Sequence, residues 1–227
     1  MARDLAIILN NGSINSAVVA AMAAQKYRSV LLYAEAVAGV QSRAKQAYDM
    51  QVGHFKPYRE HTIGMSLLAS LKEQPVPVTA GGGSDPRQPA NLGPQMTTLL
   101  PLVAAAAAFA GHYEASAVYV GLRVGPGTDE LAQATEYVQI WNELIQSPCA
   151  HPEIEIAAPL LELEPWQVVD VGFQVGAPFE RTWSCMDDSA EPCWACRGCR
   201  LREAAFAQAG KSDPLKPLVA TAPSGRK

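Results

Sequence analysis

The sequence predicts a doubly wound α/β protein: a parallel sheet with helices on both faces, followed by a small cysteine-bearing lobe. Three observations carry this reading. Short apolar runs of strand length alternate with longer segments of helical pattern. The first run leads into a polar, Gly-containing loop and an Ala-rich helix, the opening of a βαβ unit with a right-handed crossover. Finally, four of the five cysteines, at 185, 193, 196 and 199, lie close together after the alternation has ended.

The elements follow in order. Residues 5–9 (LAIIL) are an unbroken apolar run of the kind that fills the middle of a parallel sheet. Residues 10–15 form a polar turn, and 16–26 a helix that Ser16, with Asn15 before it, is placed to cap. A second strand is expected over 29–33, and helices over 43–52 and 64–72. Residues 76–79 are the candidate third strand, and the Gly- and Pro-rich stretch 79–94 reads as loop. Residues 98–112 form an uncharged helix, buried or packed on a partner subunit, with Pro101 tolerated in its first turn. A strand at 117–121, a helix at 129–146, a strand at 153–157 and a helix at 166–175 complete the pattern. The small, polar tail after Leu218 is expected to fray.

Composition bounds the function. With 48% hydrophobic residues in 227, the chain has ample material for a core and is not a disordered polymer. Its net charge of −4 argues against a broad basic surface for duplex nucleic acid. The first apolar run is too short for a signal peptide, and the apolar run around residue 105 is shorter than a bilayer span and carries Pro101. A cytoplasmic protein that does not enter membranes is expected.

The cysteines read C-x7-C-x2-C-x2-C. Two-residue spacers turn consecutive thiolates onto one ion, and the longer arm brings in a fourth. Reducing surroundings disfavour structural disulfides. An iron–sulfur cluster also takes four cysteines, but zinc is the favoured occupant, and a structural one: four sulfurs leave no open position for water. Cys149 stands apart as a plain thiol.

The first loop, Asn11-Gly12-Ser13-Ile14-Asn15-Ser16, lies where α/β proteins hold phosphates, with backbone N–H groups and the positive helix end facing the anion. The same residues are also what such a turn requires on conformational grounds alone. His54, His61, His112 and His151 have no partners at metal or catalytic spacing. Lys26, Arg43, Lys45 and Arg123 are sources of positive charge whose simpler reading is a solvated surface. Trp183 is expected to pack over the metal lobe.

The last third of the chain resembles the 7-cyano-7-deazaguanine synthase (QueC) family of PP-loop ATP pyrophosphatases. The resemblance is carried by Pro159-Leu160-Leu161, by Gly172 and the run from Gly176 to Cys185 (GAPFERTWSC), by Pro192 with Cys193, Cys196 and Cys199, and by Arg202, Phe206, Gly210 and Asp213-Pro214. It implies a Rossmann-like sheet of the adenine nucleotide alpha hydrolase type over residues 1–180, a zinc lobe over 181–217 and a flexible tail over 218–227. It further implies structural zinc on the four cysteines, ATP held at the first loop with magnesium assisting, a homodimer, and conversion of 7-carboxy-7-deazaguanine and ammonia to the nitrile.

Several positions depart from the family pattern. Against the family loop S-G-G-x-D-S, Gly12 and Ser16 match, Asn15 stands at the acidic position and Ser13 replaces a glycine. An amide keeps the shape of a carboxylate without its charge and holds magnesium more weakly. The stretch Pro94-Gln95-Met96-Thr97 lacks the family's arginine, the stretch from Gly121 to Asp129 matches the substrate segment at Asp129 alone, and Pro165 stands near a family lysine. Two readings follow from this contrast: a divergent ATP-dependent ligase, or a PP-loop scaffold that binds a nucleotide, deazapurine or protein partner without turnover. A third, a structural subunit, rests on the uncharged Ala-rich helix.

Overall fold

The computed structural model describes residues 4–35, 39–67, 93–146 and 154–216. Five parallel strands form one sheet: β1 (Leu5–Leu9), β2 (Arg28–Glu35), β3 (Arg59–Gly64), β4 (Ala117–Tyr119) and β5 (Glu155–Ala157). Their spatial order is β3-β2-β1-β4-β5. The chain builds outward from β1 in one direction and then returns to build in the other, so a topological switch point lies between β1 and β4.

Helices cover both faces, as a parallel sheet requires. On one side, α1 (Ile14–Lys26) packs with α5 (Pro165–Val175) and α6 (Arg197–Gln208) around Ile8, Val18, Leu31, Val169, Phe179 and Phe206. Beside them, α2 (Arg43–Phe55) adds Tyr48 to the same core. On the other side, α3 (Gly93–Tyr113) and α4 (Thr128–Gln146) enclose Ile7, Val30, Val103, Ala106, Val118 and Trp141. β1 is central because Ala6, Ile7 and Ile8 are apolar on both faces and fully buried.

The expected doubly wound sheet is present, with corrections to individual elements. The third strand is Arg59–Gly64, where the sequence reading placed no strand and began a helix at its last residue. Among the described residues it is an edge strand paired only with β2, and its exposed and half-buried residues include Arg59, Glu60 and His61. Without an apolar run it gives no core-strand signal. The strand expected at 76–79 and most of the helix expected at 64–72 lie outside the described residues. α1 begins two residues before Ser16: Ser13 is the N-cap and accepts the Ser16 N–H, so Ser16 sits in the first turn. The uncharged α3 is buried along one face only, at Met96, Val103, Ala106 and Ala110, while Leu100 is exposed. α6 carries no helical signal in the sequence, because its cysteines and arginines obscure the pattern.

Candidate functional site

The loop between β1 and α1 is built from its own side chains. Asn10, at the end of β1, accepts the Gly12 N–H at 2.8 Å, and Asn11 accepts the Ser13 N–H at 3.2 Å. The Ser16 hydroxyl lies 3.0 Å from Asn10 Oδ1, 3.1 Å from Asn11 Oδ1 and 3.1 Å from the Ser13 carbonyl, one proton facing three acceptors. Gly12 has φ of +78°, and a Cβ there would overlap the Ala44 carbonyl of α2, so the turn requires glycine.

This loop opens into a cleft of about 560 Å³ at the C-terminal edge of the sheet, at the switch point. Asn11, Ser13, Asn15 and Ser16 form one wall. Leu99 and Leu102 of α3 form another, and Val120, Gly121 and Leu122, just after β4, a third. Of the loop residues singled out in the sequence, the structure brings Asn11, Ser13, Asn15 and Ser16 to one concave surface of the size small ligands occupy, while Gly12 packs against α2 instead. Among the described residues, none lining the cleft carries a formal charge. Lys26, Arg43, Lys45 and Arg123 all lie elsewhere.

The donor set fits an anion. Ile14 and Asn15, as the first two residues of α1, have N–H groups with no intrahelical acceptor, and the helix dipole places partial positive charge beside them. It does not fit magnesium, a hard cation held through carboxylates. Asn15 is neutral, and its amide is engaged with the Gly121 carbonyl at 3.2 Å.

The second candidate centre lies in the C-terminal lobe. The sulfurs of Cys185, Cys193, Cys196 and Cys199 all fall within 4.8 Å of one another. Cys185 and Cys193 are 3.5 Å apart, and Cys185 and Cys196 are 3.9 Å apart. Metal–sulfur bonds of about 2.3 Å in a tetrahedron place sulfurs about 3.8 Å apart, so the four residues fit a tetrathiolate ion.

Backbone N–H groups supply the outer shell. Cys193 N–H and Asp187 N–H donate to Cys185 Sγ, each at 3.4 Å, and Cys196 N–H donates to Cys193 Sγ at 3.3 Å. Donors from Met186 and then Cys199 lower the Cys196 thiol to about 6, while burial pushes Cys199 up to about 12. A dication among the sulfurs deprotonates all four. Gly198 is required here because a Cβ would overlap the Ser184 carbonyl.

Arg43 clasps this lobe, a role the sequence reading missed by treating it as a solvated charge. Its Nε donates to the Ser189 carbonyl at 2.7 Å, its backbone N–H to Asp188 at 2.9 Å, and a further guanidinium N–H to the Ala190 carbonyl. Trp183 packs against the guanidinium with a ring-centroid distance of 5.3 Å, as expected of a residue covering the lobe. Of the histidines, His61 makes a 2.7 Å hydrogen bond with the Tyr113 hydroxyl and approaches neither centre. His151 and Cys149 lie outside the described residues.

Together these features define a doubly wound α/β protein with a ligand cleft at its switch point and a four-cysteine metal lobe. The family model described as "Queuosine biosynthesis protein QueC" matches residues 5–210. The chain belongs to the QueC family.

Among curated relatives, the 7-cyano-7-deazaguanine synthase of Acidobacterium capsulatum is 26% identical over 94% of this chain and 96% of its own length. That of Campylobacter curvus is 26% identical over 93% and 96%. The synthase of Aliarcobacter butzleri is 36% identical over half of each chain. A solved structure titled as a predicted subunit of tRNA methyltransferase from Methanocaldococcus jannaschii superposes with a TM-score of 0.51 at 11% identity, covering 94% of this chain and 91% of that one. That likeness concerns the fold alone.

Proposed function

We propose that the chain acts as a QueC-type, ATP-dependent carbon–nitrogen ligase, converting the carboxylate of 7-carboxy-7-deazaguanine with ammonia to 7-cyano-7-deazaguanine. The observation that carries this reading is the position of the Asn11–Ser16 loop: it forms the wall of a ligand-sized cleft at the switch point, in a chain matched to the family from residue 5 to 210. ATP, when bound, supplies the leaving group that makes a carboxylate oxygen displaceable. The chain's own part is to receive phosphate oxygens at the Ile14 and Asn15 N–H groups, with the Ser16 hydroxyl turning its one proton from Asn10 and Asn11 to the phosphate, and to shield the base between Leu99, Leu102 and Leu122. No step is assigned to magnesium, for which the described residues lining the cleft offer no carboxylate.

A second reading, binding of a nucleotide or deazapurine without turnover, is favoured by that same neutral lining. Transferring phosphoryl or adenylyl groups ordinarily requires cationic stabilisation of developing charge. Release of AMP and pyrophosphate from ATP, dependent on 7-carboxy-7-deazaguanine and ammonia, separates the two. Release supports the ligase; tight binding of both ligands without release supports the scaffold.

Zinc is the proposed occupant of the cysteine site, in a structural role, because the sulfurs close all four tetrahedral positions. A cytoplasmic homodimer completes the proposal. No helix among the described residues is long and apolar enough to cross a membrane. Exposed Leu100, Ile140 and Leu144 on α3 and α4 are apolar surface that pairing of two copies would cover, and sedimentation analysis reads the state directly.

A further inference from the structure

A relay of hydrogen bonds, linked by short stretches of backbone, runs from the cysteine lobe to the loop at the head of α1. It begins at Arg202, three residues beyond Cys199 on α6 and 4% exposed. Its guanidinium grips Asp213 at 2.6 and 2.8 Å, and donates to the Thr182 hydroxyl at 2.7 Å and the Phe179 carbonyl at 3.0 Å. One residue before Thr182, the Arg181 carbonyl accepts from the Gln51 side-chain amide at 2.9 Å.

Gln51 is fully buried in α2. Its Oε1 accepts from Asn10 Nδ2 at 2.9 Å, and Asn10 Oδ1 accepts in turn from the Gly12 N–H and the Ser16 hydroxyl. A parallel link is direct: the Trp183 N–H donates to the Gly12 carbonyl at 2.9 Å. An apolar side chain could fill the volume of Gln51. Only an amide donates to one segment and accepts from the other, and burial makes both bonds costly to leave unmade.

We propose that Gln51 is a positioning residue that couples metal occupancy of the cysteine lobe to the geometry of the cleft loop. The metal fixes Cys185 and Cys199, and with them the segment around residues 181–183. That segment holds Gln51 and Gly12, which hold the donors of the loop. The coupling is reciprocal: a ligand that orders the loop tightens the metal site by the same factor. It concerns the loop itself and stands whether or not the cleft turns over ATP.

Hydrogen exchange read by mass spectrometry on the full chain tests this, comparing protein loaded with zinc and protein stripped by a chelator. Stripping should speed exchange in residues 10–16 by about tenfold while peptides from β1 and β2 stay protected. Zinc-loaded Gln51→Met should show a faster loop already, with a much smaller further change on stripping, because the Trp183–Gly12 bond remains. Gln51→Glu keeps the acceptor for Asn10 and loses the donor to Arg181, and should decouple in the same way if the methionine variant does not fold. A loop indifferent to zinc while the strands stay protected would overturn the proposal. So would a wild-type zinc response in the folded variants. If stripping exposes the strands as well, the zinc-loaded variants decide: a fast loop over protected strands supports the coupling, and a loop at the wild-type rate refutes it.

Discussion

The Asn15 side chain donates to the Gly121 carbonyl at 3.2 Å, joining the head of α1 to the segment after β4 where both line the cleft. The family loop has an aspartate at this position. A carboxylate cannot donate to a carbonyl, and its charge would face that oxygen.

Asn15→Asp should therefore destabilise the chain by about 1–3 kcal/mol in the absence of divalent cations. Millimolar magnesium should recover part of the loss by supplying the missing positive charge. Thermal unfolding with and without magnesium checks both parts. A variant as insensitive to magnesium as the wild type would show that a carboxylate alone does not restore a cation site.

The cysteine lobe should hold one metal ion per chain. Cys196→Ser removes a sulfur that accepts the Met186 and Cys199 N–H groups, each at 3.5 Å. Loss of an outer-shell partner alone costs about 10–100-fold in metal affinity, so loss of a ligand should exceed that. Elemental analysis after dialysis against a chelator should find the variant empty and the wild type loaded.

Gly172 lies where α5 meets α1 and the Phe179 turn. A Cβ there would stand 2.8 Å from Val18 Cγ2 and overlap the Phe179 ring. Gly172→Ala should cost about 1–3 kcal/mol through overpacking, read as a lowered urea midpoint with an unchanged slope.

Arg202 and Asp213 form an ion pair whose side chains are 2% and 4% exposed. Asp213→Ala leaves the guanidinium buried with only the hydroxyl and carbonyl acceptors of the 179–182 turn, and should cost about 3–5 kcal/mol. A loss below about 1 kcal/mol would mean that water reaches the site and that the pair is effectively a surface bridge.

How far the sequence revealed the fold depended on where each signal lies. Leu5–Leu9 and the core of β2 could be read because central parallel strands are apolar on both faces, and the cysteine spacing could be read because two-residue spacers constrain geometry locally. β3 was hidden because an edge strand with Arg59, Glu60 and His61 carries no apolar run. Ser13 and Ser16 were exchanged as caps because both are good N-caps, and only the φ and ψ of the folded loop choose between them. The bonds of Arg43 to Ser189 and of Gln51 to Arg181 join residues 130 or more positions apart, which no local pattern encodes.

The proposed function requires the loop and cleft at the switch point to bind the family's ligands. Calorimetric titration of the zinc-loaded chain with ATP and with 7-carboxy-7-deazaguanine, repeated on Ser16→Ala, tests it most directly. Both ligands should bind saturably, and ATP should bind the variant more weakly, by about tenfold for one lost hydrogen bond to a charged group. A zinc-loaded, folded protein that binds neither ligand would contradict it.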